Sequence, residues 1–174
     1  VAAYFSHRSY APWFYTYDRV KSEYFDIPEA WSLRASGNNP IMQWWSGPKK
    51  TIQGVDFELY WELNYSTLVL KAKIDETPEK ESIAKALRGR LYNKWCEVQK
   101  KEDLGAARKL QGEKTTHRVS SSEYYSMLKW DLGWEDFWEH VASIGVLVRA
   151  FQKHLISTDF STDPRPTTER HQSP

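Results

Sequence analysis

Gly54 to Ile74, GVDFELYWELNYSTLVLKAKI, decides the fold. From Asp56 to Leu63 the chain alternates. Phe57, Leu59, Trp61 and Leu63 fall on one face and Asp56, Glu58, Tyr60 and Glu62 on the other. A period of two marks a half-buried strand. Asn64 to Thr67 (NYST) has turn chemistry. Leu68 to Ile74 opens as an apolar run and ends with Leu70, Ala72 and Ile74 alternating against Lys71 and Lys73. Two such strands joined tightly form an antiparallel hairpin, and one this apolar belongs in the middle of a sheet.

Downstream, Asp75 to Pro78 (DETP) is a helix entry, with Thr77 as N-cap and Pro78 in the first helical position. The helix expected from Glu79 to about Lys101 carries Ile83, Leu87, Leu91, Trp95 and Val98 as one apolar stripe. Glu102 to Arg118 is polar and reads as irregular, with a helical turn through Leu104 to Leu110. Tyr124 to Trp130 reads as a further strand, with Tyr124, Ser126, Leu128 and Trp130 alternating against Tyr125, Met127 and Lys129. A second long helix, Trp134 to about Ile156, has Phe137, Val141, Ile144, Val148, Phe151 and Leu155 as its core stripe. Upstream, the pattern gives a helix around Trp13 to Phe25, a short helix from Pro28 to Arg34, a loop at Ser36 to Pro40 and an aromatic strand from Ile41 to Ser46. Lys49 to Gly54 reads as a basic connection. The expectation is an α+β two-layer domain, with a small, mostly antiparallel sheet of about four strands and helices on one face. It spans residues 1–156, followed by a tail over 157–174 in which Phe160 is the one large apolar residue and the expected anchor.

Nine Trp, ten Tyr and seven Phe among 174 residues are the compositional outlier. Each aromatic buries a large area, so few residues can build a core. A surface use, stacking on bases or on a partner, is the other reading, with Tyr10, Trp13, Trp44 and Trp45 as candidates and Trp44 and Trp45 foremost. One cysteine, Cys96, excludes an internal disulfide and a cysteine-cluster metal site. It fits a reducing compartment and the expectation of a cytoplasmic protein. No apolar run reaches the length of a membrane span, so no membrane partner is expected. The chain begins at Val1, which suits a piece of a longer protein.

Two clusters could carry chemistry. A metal-dependent nuclease needs carboxylates converging on a divalent cation with a lysine near the attacking water. Asp56, Glu58 and Glu62 on the first hairpin strand and Lys71 or Lys73 on the second supply those residue types. Lys71 stands where an acid partner would be needed, so the set is incomplete. The same residues also read as a strand face with cross-strand acid–lysine pairs. Mg2+ enters only under the nuclease reading; otherwise no cofactor is expected. The second cluster is basic: Lys80 to Arg118 holds eleven Lys and Arg against five Asp and Glu. Lys85, Arg88, Arg90, Lys94, Lys100 and Lys101 lie off the helix stripe, and Arg108 and Lys109 follow. Such a segment is either a solvated helix face or a phosphate-tracking surface. The five histidines show no metal spacing, and there is no glycine-rich phosphate loop or nucleophile elbow.

The stretch from about Asn39 to Trp95 resembles the C-terminal half of bacterial and phage-borne proteins of the PD-(D/E)XK nuclease superfamily. The matching pieces are Pro40–Trp45 (PIMQWW), Tyr60–Tyr65 (YWELNY), Thr67–Ile74 (TLVLKAKI) and Leu87–Trp95 (LRGRLYNKW). In that family the nuclease carboxylates lie upstream of these elements. Residues 1–38 contain no strand pair with an acid-x-Lys, so no catalytic residue carries over. The resemblance implies a non-catalytic recognition domain in a defence or mobile-element setting, binding nucleic acid or a nuclease or complex subunit. The alternatives are a protein-interaction module or inhibitor without nucleic acid, and a divergent metal nuclease.

Overall fold

The structure, a computed structural model, describes residues 32–36, 39–45, 47–64, 67–110, 112–115, 124–131 and 137–162. Seven strands form one antiparallel sheet: β1 (Ser32–Ser36), β2 (Asn39–Trp45), β3 (Lys50–Ile52), β4 (Val55–Asn64), β5 (Thr67–Ile74), β6 (Gly112–Lys114) and β7 (Tyr124–Asp131). Their order is β1-β2-β4-β5-β7-β6, with β3 also on β4. Among the described residues two α-helices, α1 (Lys80–Lys101) and α2 (Phe137–Ser157), pack on one face. This is the α+β architecture expected from the hairpin, with a wider sheet.

The hairpin holds the centre. Phe57 pairs with Ile74, Leu59 with Ala72, Trp61 with Leu70 and Leu63 with Leu68, and all eight are buried. The apolar stripes then cover them. Ile83, Leu87, Leu91, Trp95 and Val98 of α1 and Ile144, Val148, Phe151 and Leu155 of α2 are in the core. Trp61, Trp95, Trp130 and Phe151 meet where the four elements converge, with ring centroids 5.2–6.2 Å apart. The Trp61 indole N–H donates to Gln152 Oε1 at 3.1 Å, which satisfies both buried groups.

Several local expectations are corrected. Ser32–Ser36 is a strand where a short helix was expected, and it pairs Ser36 with Asn39. A two-residue connection thus makes a hairpin of what reads by composition as a loop. β3 was read as a connection. The signal it carried was Gln53-Gly54, both with positive φ (51° and 78°), the backbone of a two-residue hairpin turn. β2 and β3 both run along the same side of β4, so Gly47-Pro48 interrupts what is otherwise one long strand. α1 begins at Lys80 with Glu79 as N-cap, because Pro78 and Glu79 first complete a turn closed by Lys80 N–H on Thr77 O at 3.3 Å. Leu104, Ala107 and Leu110 are buried at a spacing of three, the period of the 3₁₀-helix found over Gly105–Lys109. The helix expected over residues 13–25 lies outside the described residues.

β7 carries the most consequential correction. Its register slips between Leu70 and Lys71 of β5, leaving Met127 as an extra residue. Such a bulge reverses which side chains face the core. Tyr125 pairs with Ala72, Leu128 with Leu70 and Trp130 with Leu68, whereas Tyr124 and Ser126 oppose Lys73 and Lys71. Strict alternation through Tyr124–Trp130 therefore fails at Met127. The bulge carbonyls are not left orphaned. Ser126 O accepts from Thr115 Oγ1 at 2.7 Å and from Arg88 at 3.1 and 3.4 Å, and Met127 O accepts from the Thr115 N–H.

β6 lies over the aromatic cluster through Gly112. A Cβ built on Gly112 would stand 2.6 Å from the indole nitrogens of both Trp95 and Trp130. Both nitrogens are buried, and neither has a hydrogen-bond partner among the described residues. Only a glycine lets β6 close on these two rings. Gly112→Ala is expected to lower the unfolding free energy by about 1–3 kcal/mol, the usual penalty of overpacking, read as a lower urea midpoint at unchanged m-value.

Past α2 the chain turns back onto the sheet. Phe160 is buried and sits edge-on against Phe57 at 5.5 Å. Lys50 Nζ donates to the carbonyls of Ile156 and Thr158, both at 3.1 Å, and Arg90 donates to the carbonyl of Phe160. Phe160 is thus the expected anchor, but as part of the core. Phe160→Ala should destabilise the whole domain by about 3 kcal/mol, in line with other buried Phe truncations. A global melt that is unchanged, with only local proteolysis gained, would contradict this.

Candidate nucleic-acid interface

The acids of the central hairpin do not assemble a metal site. Asp56 and Glu62 are six residues apart on one strand, about 20 Å at the usual rise. Each candidate is already engaged. Asp56 Oδ1 accepts from Thr51 Oγ1 at 2.7 Å. Glu58 lies 4.0 Å from Lys49, whose ammonium also bonds Asp75 at 3.2 Å. That Asp75 contact holds the Lys49 pKa above its ordinary value. Glu62 takes Lys71 Nζ on both oxygens, at 2.8 and 2.9 Å, and lies 3.4 Å from Gln43 Nε2. Lys73 opposes Glu58 in the β4–β5 register. Among the described residues no group of three or more His, Cys, Asp or Glu is placed to hold a metal ion.

Tyr60 and Glu62 are buried, although the alternation put them on a solvated face. Burial, with the Glu62 charge nearby, pushes the Tyr60 phenol up, so it stays neutral. Glu62 and Lys71 form a cross-strand ion pair with side chains only 9% and 15% exposed. Breaking one partner of such a pair strands the other. Lys71→Met should cost about 3–5 kcal/mol, and adding Glu62→Leu should recover most of it. A double-mutant cycle by chemical denaturation measures the difference.

The basic segment divides by use. Arg88 is half-buried and holds the β7 bulge, and Arg90 holds the Phe160 carbonyl. Lys94 pairs with Glu97 at 2.9 Å. Arg88 and Arg90 thus lie where the flanks of α1 meet the sheet and the segment after α2. Lys85 is exposed on the outer face, about 22 Å along the axis from Lys100. Lys100 and Lys101 in the last turn of α1, and Arg108 and Lys109 in the 3₁₀-helix that follows, are all exposed. The 3₁₀-helix folds Arg108 back to the end of α1, where it donates to Glu102 O at 3.3 Å. The sequence did not place α2 at this point. It adds exposed Lys153, 3.6 Å from Glu102 Oε1, and His154, whose Nε2 lies 2.7 Å from the same oxygen. No spacing in the sequence links residue 102 to residue 154. Only the stacking of α2 beside the 3₁₀-helix brings them together.

Each acid in this cluster has its own partner. Glu97 serves Lys94 and is 4.0 Å from Lys101, Glu102 serves His154 and Lys153, and Asp103 Oδ1 accepts the Gly105 N–H at 3.1 Å. The Lys94 hydrogen bond holds Glu97 below the usual carboxylate range, and the His154 hydrogen bond does the same for Glu102. Trp44 and Trp45 lie in β2 opposite Trp61 and Tyr60, and their side chains lie outside the described residues, as do Tyr10 and Trp13. Cys96 is half-buried on α1. No helix among the described residues is long and apolar enough to cross a membrane.

Comparison of the chain with family models, curated proteins and solved structures finds no match. The chemistry of the surface is therefore read from its geometry.

Because Glu97 and Glu102 have depressed folded-state pKa values, their stabilising effect is present above the unfolded carboxylate value. It is lost as pH falls through the lower folded values. Melting temperatures of the wild type should fall on the acid side of about pH 4.5. In the double variant Glu97→Gln, Glu102→Gln that fall should be shallower. Parallel curves for the two proteins would show that these pairs do not contribute.

Proposed function

We propose that this chain is a nucleic-acid recognition domain and that the C-terminal end of α1 is its contact surface. One observation carries the reading: Lys100 and Lys101 at the end of α1, Arg108 and Lys109 in the 3₁₀-helix that follows and Lys153 of α2 are all exposed, five cations against the three acids Glu97, Glu102 and Asp103 of the same region. Phosphates meeting such a cluster release condensed counterions, which supplies affinity without reading sequence. The resemblance of Asn39–Trp95 to the non-catalytic half of PD-(D/E)XK proteins supports the same role, beside a nuclease in a defence or mobile-element system. The metal-nuclease alternative lacks support in the donor set, since Asp56 and Glu62 are too far apart to share a cation.

The test is fluorescence anisotropy with a short mixed-sequence DNA duplex and its separated strand across a salt series. Affinity should fall linearly on a log–log plot, by about 0.9 per phosphate contacted on duplex. Joint reversal of Lys100, Lys101, Arg108 and Lys109 to Glu should weaken binding at least about ten-fold and flatten that slope. Lys85→Glu alone should do much less. Arg88 and Arg90 are unsuitable for the test, because replacing them releases the bulge and the Phe160 carbonyl. Salt-independent binding, or binding that survives the four reversals, would overturn the assignment. Capture of a protein partner by a chain with no nucleic-acid affinity would favour the interaction module.

A further inference from the structure

Trp95 of α1 is closed into the core, but the other aromatic residue of that helix, Tyr92, is only half-buried against it. Lys114 of β6 holds its Nζ 4.7 Å from the Tyr92 ring centroid. A helical side chain leans over the turn N-terminal to its own Cα, and three residues back from Tyr92 stands Gly89. A Cβ built on Gly89 would meet nothing within 4 Å. Glycine is costly inside a helix, and no neighbour here is close enough to require it. Its effect is to leave the turn beside the Tyr92 ring clear of side chain.

The surroundings are cationic. From Ser82 to Cys96 the helix carries Lys85, Arg88, Arg90 and Lys94 and no acid. Lys114 is exposed, while Glu113 beside it falls on the other face of the sheet by alternation, opposite Lys129 in the register. Tyr92 precedes Lys100 by eight residues, about 12 Å along the axis, so one short strand can reach both.

We propose that Tyr92 is a stacking platform for an unpaired base, with Lys114 as the phosphate contact beside it, so that this domain prefers single-stranded nucleic acid to a closed duplex. This rests on the reading of the basic surface as a nucleic-acid interface. Bases inside a duplex are stacked on each other, whereas a single strand can lay a base on an aromatic ring whatever the base is. The ring quadrupole holds the Lys114 ammonium, and lysine, on a flexible stem, can exchange the ring for a phosphate. One nucleotide therefore supplies a counterpart to each member of the Tyr92–Lys114 contact.

The experiment compares the affinity of the full chain for a thymidine oligomer and for an abasic oligomer with the same number of phosphates, by fluorescence anisotropy at one salt concentration. Wild type should bind the thymidine oligomer about five-fold tighter or more, the scale of one stacked base. Tyr92→Phe should keep that ratio, and Tyr92→Leu should bring it close to one. Gly89→Leu fills the turn beside the ring. It should cut the ratio while raising the melting temperature, because leucine is the better helix former and has open space there. A purely structural role for Tyr92 would leave the ratio unmoved in this variant. Lys114→Gln should lower the salt slope on the thymidine oligomer by about 0.7, the share of one phosphate on a single strand. Circular dichroism melts check that each variant is folded. Equal wild-type affinity for the two oligomers overturns the proposal and leaves the interface reading standing. So does a ratio that persists in Gly89→Leu or in folded Tyr92→Leu. Absence of binding to both oligomers and to duplex overturns both.

Discussion

Four rings and one missing methyl group hold this domain together. Trp61 comes from β4, Trp130 from β7, Trp95 from α1 and Phe151 from α2. They touch in edge-on and tilted arrangements, the geometry aromatic quadrupoles favour. Each of the four elements contributes one ring, so the cluster fixes how both helices sit on the sheet. Gly112 brings β6 over the top of it at a distance no other residue allows. The two unpartnered indole N–H groups there are a standing penalty, since a buried donor without a partner forfeits hydration. The sequence tolerates it because two Trp rings fill volume that smaller residues would leave as cavity.

The position of the candidate surface follows from that packing. With Trp95 pinned, the last turn of α1 and the 3₁₀-helix after it have little freedom. Leu104, Ala107 and Leu110 are buried there. Their exposed neighbours Arg108 and Lys109 are therefore carried on a fixed turn, with Arg108 bonded back to the Glu102 carbonyl. With Phe151 pinned, α2 delivers Lys153 and His154 to the same place. The surface is thus assembled by apolar contacts on the opposite sides of the elements that carry it. The contacts of Glu97 with Lys94 and of Glu102 with His154 add to that placement.

Sequence periodicity made the core legible and left the edges hidden. The β4–β5 hairpin and both helix stripes were readable, because burial on one face imposes a period of 2 or 3.6 over many residues. β1, β3 and β6 were not readable as strands. At three to five residues each, they are too short for a period to show, and their existence depends on a neighbour strand offering its hydrogen bonds. The face assignment in β7 failed for a related reason. A bulge is one inserted residue whose signal lies in the partner strand and in Arg88 and Thr115, far away in sequence. Tyr60 and Glu62 show the limit of alternation itself. It assigns a residue to a face but does not say whether that face is wet.

The basic segment shows why charge counting overstates a binding surface. A cation near a carbonyl that secondary structure cannot satisfy is drawn into the fold, since a buried acceptor left unpaired is worth about 1–3 kcal/mol. Arg88 meets that demand at the β7 bulge, and Arg90 meets it where the chain ends its return at Phe160. Arginine suits both places, because its planar fork keeps its charge on partial burial and reaches a carbonyl with more than one N–H. Lys85, Lys100 and Lys101, more strongly hydrated and on freer stems, stay exposed, two of them where α1 ends. Residue type therefore carries information that net charge does not. In this helix Arg88 and Arg90 mark where the backbone needs donors, and Lys85, Lys100 and Lys101 mark the charge that stays exposed.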